Sequence, residues 1–186
     1  MLTEEKIKKN AEKFNSTGVS VGVINDDLLN LLGPEFISAP CTTTTNLYGA
    51  YDGGLIQHIL KVTKYAIEIN NSLPEAKQIK KESIIRVCLV HQIGKANMYA
   101  EQTSQWHKDN RGEMYTFNDE ALSMSTSERS VYYALKAGIA LTEDEVFAIY
   151  NYNSDFAHWS MDKDGEKLAS LLKTANLIAV IDEKLG

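Results

Sequence analysis

Residues 84 to 93 read IIRVCLVHQI, ten positions that are apolar on nearly every side of any regular element built from them. A segment of that kind has no solvent face and must lie in the middle of the molecule, so the rest of the chain has to be arranged around it. The run exceeds the usual length of a strand, and its β-branched residues do not change that, so the stretch KESIIRVCLVHQIGK is read as a central helix. A partner lies just upstream. In LIQHILKVTKYAIEIN, residues 55 to 70, apolar side chains fall at 55, 56, 59, 60, 62, 66, 67 and 69, which supports a second core helix ended by NNSLP.

The flanking segments follow the same logic. Residues 3 to 14 alternate charges with Ile7, Ala11 and Phe14, an amphipathic helix with a narrow apolar stripe. NDDLLNLLG at 25 to 33 offers Asn25 as an N-cap, acids in the first turn and a Gly-Pro stop. Residues 34 to 54 change to Pro, Thr, Gly and Tyr, with Cys41 in a threonine-rich loop that could be exposed; a stretch this long is expected to cover something. HKDNRGEMYTF predicts a small hairpin between about 107 and 118, turning at Asp-Asn-Arg-Gly. Three helices follow, in SERSVYYALKAG, in LTEDEVFAIYNYN with Thr142 and Glu145 as a capping box, and in GEKLASLLKTANLIAVIDEKLG. The fold class is therefore all-α, a helical bundle with a small β-hairpin insertion, and the 186 residues suit one domain, with 1–33 forming N-terminal helices.

Charge and cysteines narrow the partners. A formal charge of −6, from 25 acidic and 19 basic side chains, gives no general attraction to nucleic acid or to anionic lipid. No stretch approaches a membrane span, and the charged N-terminus lacks the apolar core of a signal peptide. Cys41 and Cys88 have no metal-ligand spacing, Cys88 reads as a buried thiol, and a reducing, cytoplasmic setting is expected.

Two of the four histidines, His58 and His91, stand inside the two most apolar helices. A lone histidine in such a place is more often a satisfied core residue than a ligand. Two on helices that must touch could share a metal. Zinc nevertheless asks for a third ligand and harder ions ask for carboxylates. His91 is followed by the neutral Gln92, and the late helices supply Tyr150, Asn151, Tyr152, Asn153 and Asn176. Residue chemistry alone gives a polar pocket with a weak case for metal.

The order GAYDGGLIQHILKV, RVCLVHQIGKANMY, SERSVYYAL, LTEDEVFAIYNYN and LLKTANLIAV, over about residues 35 to 182, resembles the HD-domain superfamily of metal-dependent phosphohydrolases, most of all its bacterial and phage-type branch. The resemblance implies an all-α fold and the hydrolysis of phosphate esters of nucleotides or nucleic acids around one or two metals. Matched position by position, it keeps His58 and His91 as metal ligands and keeps Lys95, Glu128 and Ser130 of the flanking motifs. It puts Gln92 where the aspartate of the His-Asp doublet stands, Thr126 and Tyr152 where two further histidines stand, and Asn176 where the last aspartate stands. Both carboxylates that would neutralise a divalent ion and help place its water are thus replaced.

The expectation is a vestigial site: His58 and His91 in a pocket with Gln92, Lys95, Thr126, Glu128, Tyr152 and Asn176, no cofactor, and a catalytically inactive protein binding a partner protein or a small anionic ligand, with Lys95 and helix starts as its positive groups. The alternative is a phosphohydrolase with a rebuilt centre, in which His107 or His158 joins His58 and His91 around a divalent metal (Mn, Fe, Zn, Ni or Mg).

Overall fold

The computed structural model describes residues 1–121, 124–156 and 158–185. It consists of α1 (Glu4–Ser20), α2 (Asp26–Leu32), α3 (Gly54–Ser72), α4 (Lys81–Val90), β1 (Tyr99–Glu101), α5 (Gln105–Arg111), β2 (Tyr115–Phe117), α6 (Thr126–Lys136), α7 (Glu143–Asn151) and α8 (Asp164–Leu185), with short 3-10 turns at Pro34–Ile37, Glu75–Lys77 and Ile93–Lys95. The all-α class holds, with one two-stranded antiparallel sheet. Among the described residues no helix is long and apolar enough to cross a membrane.

The apolar run sits where its composition requires. In α4, Ile84, Val87, Cys88, Leu89 and Val90 are all buried. This helix packs against α3, α7 and α8, and α3 in turn lies along α8. Within the apolar run of α4, Arg86 reaches the buried Glu145 of α7 with its Nε at 2.7 Å and also donates to the Val21 carbonyl at 2.8 Å. Its guanidinium therefore joins α4 to α7 and to the end of α1.

The helix ends are set by local chemistry. Asn25 accepts from the Leu28 N–H at 2.8 Å. Thr142 and Glu145 form the expected capping box on α7, and Ser125 and Glu128 form another on α6. α3 starts from Gly53, held at φ 77°, followed by Gly54, where any Cβ would strike the Gly49 carbonyl. That close approach folds the 34–54 segment over the start of α3.

The hairpin differs from its expected form. Tyr115–Phe117 is a strand, but it pairs with Tyr99–Glu101, in register Tyr99 to Phe117 and Glu101 to Tyr115. Residues 105–111 between the strands are helical, because Ser104 caps the first turn by accepting from the His107 N–H at 3.4 Å and Gly112, at φ 63°, stops the last. The Asp-Asn-Arg-Gly stretch is thus the end of a helix rather than the tip of a hairpin.

Candidate functional site: a hydrogen-bonded polar centre between α3, α4 and α8

Three elements converge on one buried polar centre. α3 presents His58, the residue closing α4 is His91, followed by Gln92, and α8 presents Asn176. His58 and His91 are fully buried and Gln92 is 2 % exposed. His58 Nε2 lies 2.9 Å from Asn176 Oδ1, and Gln92 Nε2 donates to that same oxygen at 3.3 Å. On its other side His58 Nδ1 lies 3.1 Å from Glu183 Oε1, whose side chain is 4 % exposed. Both ring nitrogens of His58 therefore lie within hydrogen-bond distance of an oxygen.

The turn after α4 is held from α6. Ser130 Oγ donates to the His91 carbonyl at 3.1 Å and accepts from the Gly94 N–H at 2.9 Å. Gly94 is required there, since a Cβ would run into the Thr126 carbonyl. His91 Nδ1 donates to the Cys88 carbonyl at 2.7 Å, so its Nε2 carries the lone pair. That atom is buried and has no hydrogen-bond partner among the described residues, while the Tyr152 ring meets the imidazole edge-on at 5.3 Å. Burial, with His58 and Lys95 adding to it, holds the His91 imidazole down at about 3. A ring of such low basicity is a poor general base at neutral pH.

Cys41, Tyr48 and Glu183 belong to the centre and were not singled out by sequence. Cys41 is fully buried rather than exposed. Its thiol donates to Gln92 Oε1 at 3.3 Å, and its carbonyl accepts from Lys95 Nζ at 2.7 Å. Burial pushes the thiol up, and the opposing Lys95 does not reverse this, so Cys41 is not a ready thiolate. The Tyr48 ring covers His58 at 4.5 Å between centroids. Glu183 was legible in principle: it stands seven residues after Asn176, two turns along the same face of α8.

Beside this centre opens a cleft of about 300 Å³. Gln92, Lys95, Thr126, Tyr152 and Asn176 line it, together with Tyr48, Ser125, Ser127 and Asn153. Glu128 does not: its carboxylate turns back to accept from the Ser125 N–H at 2.6 Å, closing the α6 capping box on the surface. The two alternative ligands also lie elsewhere. His107 is on α5, 3.9 Å from Glu113, and His158 is exposed on the loop before α8; neither lines the cleft. On the far side of Tyr48 and Lys95 lies a larger cavity of about 770 Å³.

A family model for the HD domain matches residues 55–184. The chain belongs to the HD-domain family. The match spans α3 to α8, the elements that converge on the polar centre, and places this protein in a phosphohydrolase-like superfamily whose members typically bind divalent metals. No curated protein matches the chain. No solved structure matches it.

A divalent metal does not fit the donor set of this HD domain. Where the resemblance expects two carboxylates, the protein has the amides of Gln92 and Asn176, already bonded to each other. His58 is engaged at both nitrogens and only His91 Nε2 is free. Among the described residues there is no group of three His, Cys, Asp or Glu side chains placed to hold a metal ion. No reaction step through a metal follows from these residues.

Proposed function

We propose that this HD-domain protein is catalytically inactive and acts as a binding module for a small anionic ligand in the cleft beside Lys95. The observation that carries this reading is the composition of the cleft wall. Lys95, the hydroxyls of Ser125, Thr126, Ser127 and Tyr152, and the amides of Asn153, Gln92 and Asn176 are all hydrogen-bond donors, and no carboxylate lines the cleft among the described residues. Ser125 to Ser127 also form the start of α6, the end of a helix that favours negative charge. The centre below supports binding without turnover, since a neutral amide neither offsets the charge of a divalent ion nor takes a proton from its water. A rebuilt metal centre has no support from the third histidines, because His107 and His158 stand away from the cleft.

Calorimetric titration with inorganic phosphate tests the proposal. The parent chain should bind it, with an affinity that falls as salt rises, and Lys95→Met should weaken binding by about tenfold or more while the far-ultraviolet spectrum stays unchanged. Equal binding by the parent and Lys95→Met, or no binding by the parent, would refute it.

A further inference from the structure

The larger cavity has the opposite character. Four tyrosine rings (Tyr48, Tyr51, Tyr99 and Tyr115) line it, and the carboxylates on its wall are those of Glu35, Asp52, Glu101 and Glu183. Among the described residues the one cationic side chain on its wall is Lys95, which also lines the cleft. Acidic residues and aromatic rings on a wall do not by themselves make a site. The decisive group is Glu183. Its side chain is 4 % exposed, its Oε1 is taken by His58 Nδ1, and its Oε2 is buried with no hydrogen-bond partner among the described residues. A buried carboxylate oxygen left unpaired is costly, and natural proteins rarely leave one without a reason.

A second orphan stands close by. Gln57 Oε1 is also buried and has no hydrogen-bond partner among the described residues. Gln57 and Glu183 both line a side cavity of about 340 Å³, which shares Met1, Tyr51 and Glu183 with the tyrosine-lined one; its lysine, Lys61, is taken by Asp182 at 2.7 Å. Two unsatisfied acceptors on one wall, one of them a carboxylate, call for a donor with several N–H groups and a positive charge. The adjoining rings supply the stabilisation a cation gains over an aromatic face. Burial and the neighbouring Glu183 charge also push the Tyr51 hydroxyl up to about 12, so the ring beside that carboxylate stays neutral.

The geometry points to a second ligand site, distinct from the Lys95 cleft, that takes an organic cation: a primary ammonium or guanidinium head donating to Glu183 Oε2 and Gln57 Oε1, with its stem among Tyr48, Tyr51 and Tyr115. The inference does not depend on the anion reading, because the orphaned acceptors lie outside the cleft.

The experiment compares benzylammonium with its neutral isostere, benzyl alcohol, by titration of the full chain under nuclear magnetic resonance. Benzylammonium should bind at least about tenfold more tightly than the alcohol, shifting the signals of Tyr51 and Gln57. Gln57→Leu, on a half-buried residue outside the central network, should remove much of that preference, and Glu183→Gln should abolish it. The comparison within the parent chain stands even if Glu183→Gln fails to fold. Equal affinity for the amine and the alcohol, binding of neither, or a preference untouched by Gln57→Leu would overturn the inference.

Discussion

Lowering the pH should destabilise this protein through His91 in particular. In an unfolded chain a histidine takes up its proton near 6.5, whereas in the fold His91 stays neutral until about 3, chiefly because it is buried. Between those values the unfolded state holds a proton on this ring that the folded state does not. Stability therefore rises with pH across that window and is lost as pH falls. Each pH unit is worth about 1.4 kcal/mol, so moving from 6.5 to 4.5 should cost roughly 2.7 kcal/mol from this one group. That is a large share of the 5 to 15 kcal/mol of a typical domain. The assay is urea unfolding at pH 7 and pH 4.5, on the parent and on His91→Gln. The variant keeps a donor for the Cys88 carbonyl and cannot titrate. Other groups contribute equally to both chains, so the parent should lose about 2 to 3 kcal/mol more than the variant. Identical losses in the two chains would refute the reasoning, and would mean that His91 is either solvated or already protonated in the fold.

Three further outcomes follow from the same contacts. Asn176→Ala should cost about 1 to 3 kcal/mol in chemical denaturation, because His58 Nε2 and Gln92 Nε2 both lose their shared acceptor. Gly94→Ala should lower the thermal midpoint and cost about 1 to 3 kcal/mol or more, since its Cβ collides with the Thr126 carbonyl and forces the turn away from α6. Arg86→Met should cost about 3 to 5 kcal/mol in the same unfolding assay, because it leaves the 2 % exposed side chain of Glu145 charged and without its guanidinium.

Much of the architecture was legible because burial and periodicity are local properties of the sequence. The all-round apolarity of 84 to 93 required a central helix, and α4 is central; Asn25 and the Thr142–Glu145 box marked helix starts that the structure keeps. The strand pairing was less legible. Tyr115–Phe117 could be seen, but its partner lies across a helix whose cap, Ser104, and stop, Gly112, resemble turn residues equally well. Within the polar centre, the side chains of His58, Gln92 and Asn176 meet in one hydrogen-bonded chain, as their motif order suggested. Glu128 was expected in the pocket from the motif match, but a carboxylate reads the same in sequence whether it faces a pocket or caps its own helix. Cys41 and Tyr48 reach the centre through tertiary packing, which no local period encodes, whereas Glu183 lies two turns from Asn176 on the same face of α8.

In the proposed binding module, the hydrogen-bonded amides of Gln92 and Asn176 stand where a metal centre would need carboxylates. The most direct measurement is a calorimetric titration of manganese into the parent chain and into the double variant Gln92→Asp, Asn176→Asp. The parent should show no saturable site, and the double variant should bind at least about tenfold more tightly, because two carboxylates then face His58 and His91. Stoichiometric manganese binding by the parent, as tight as that of the double variant, would contradict the proposal that this centre no longer holds a metal.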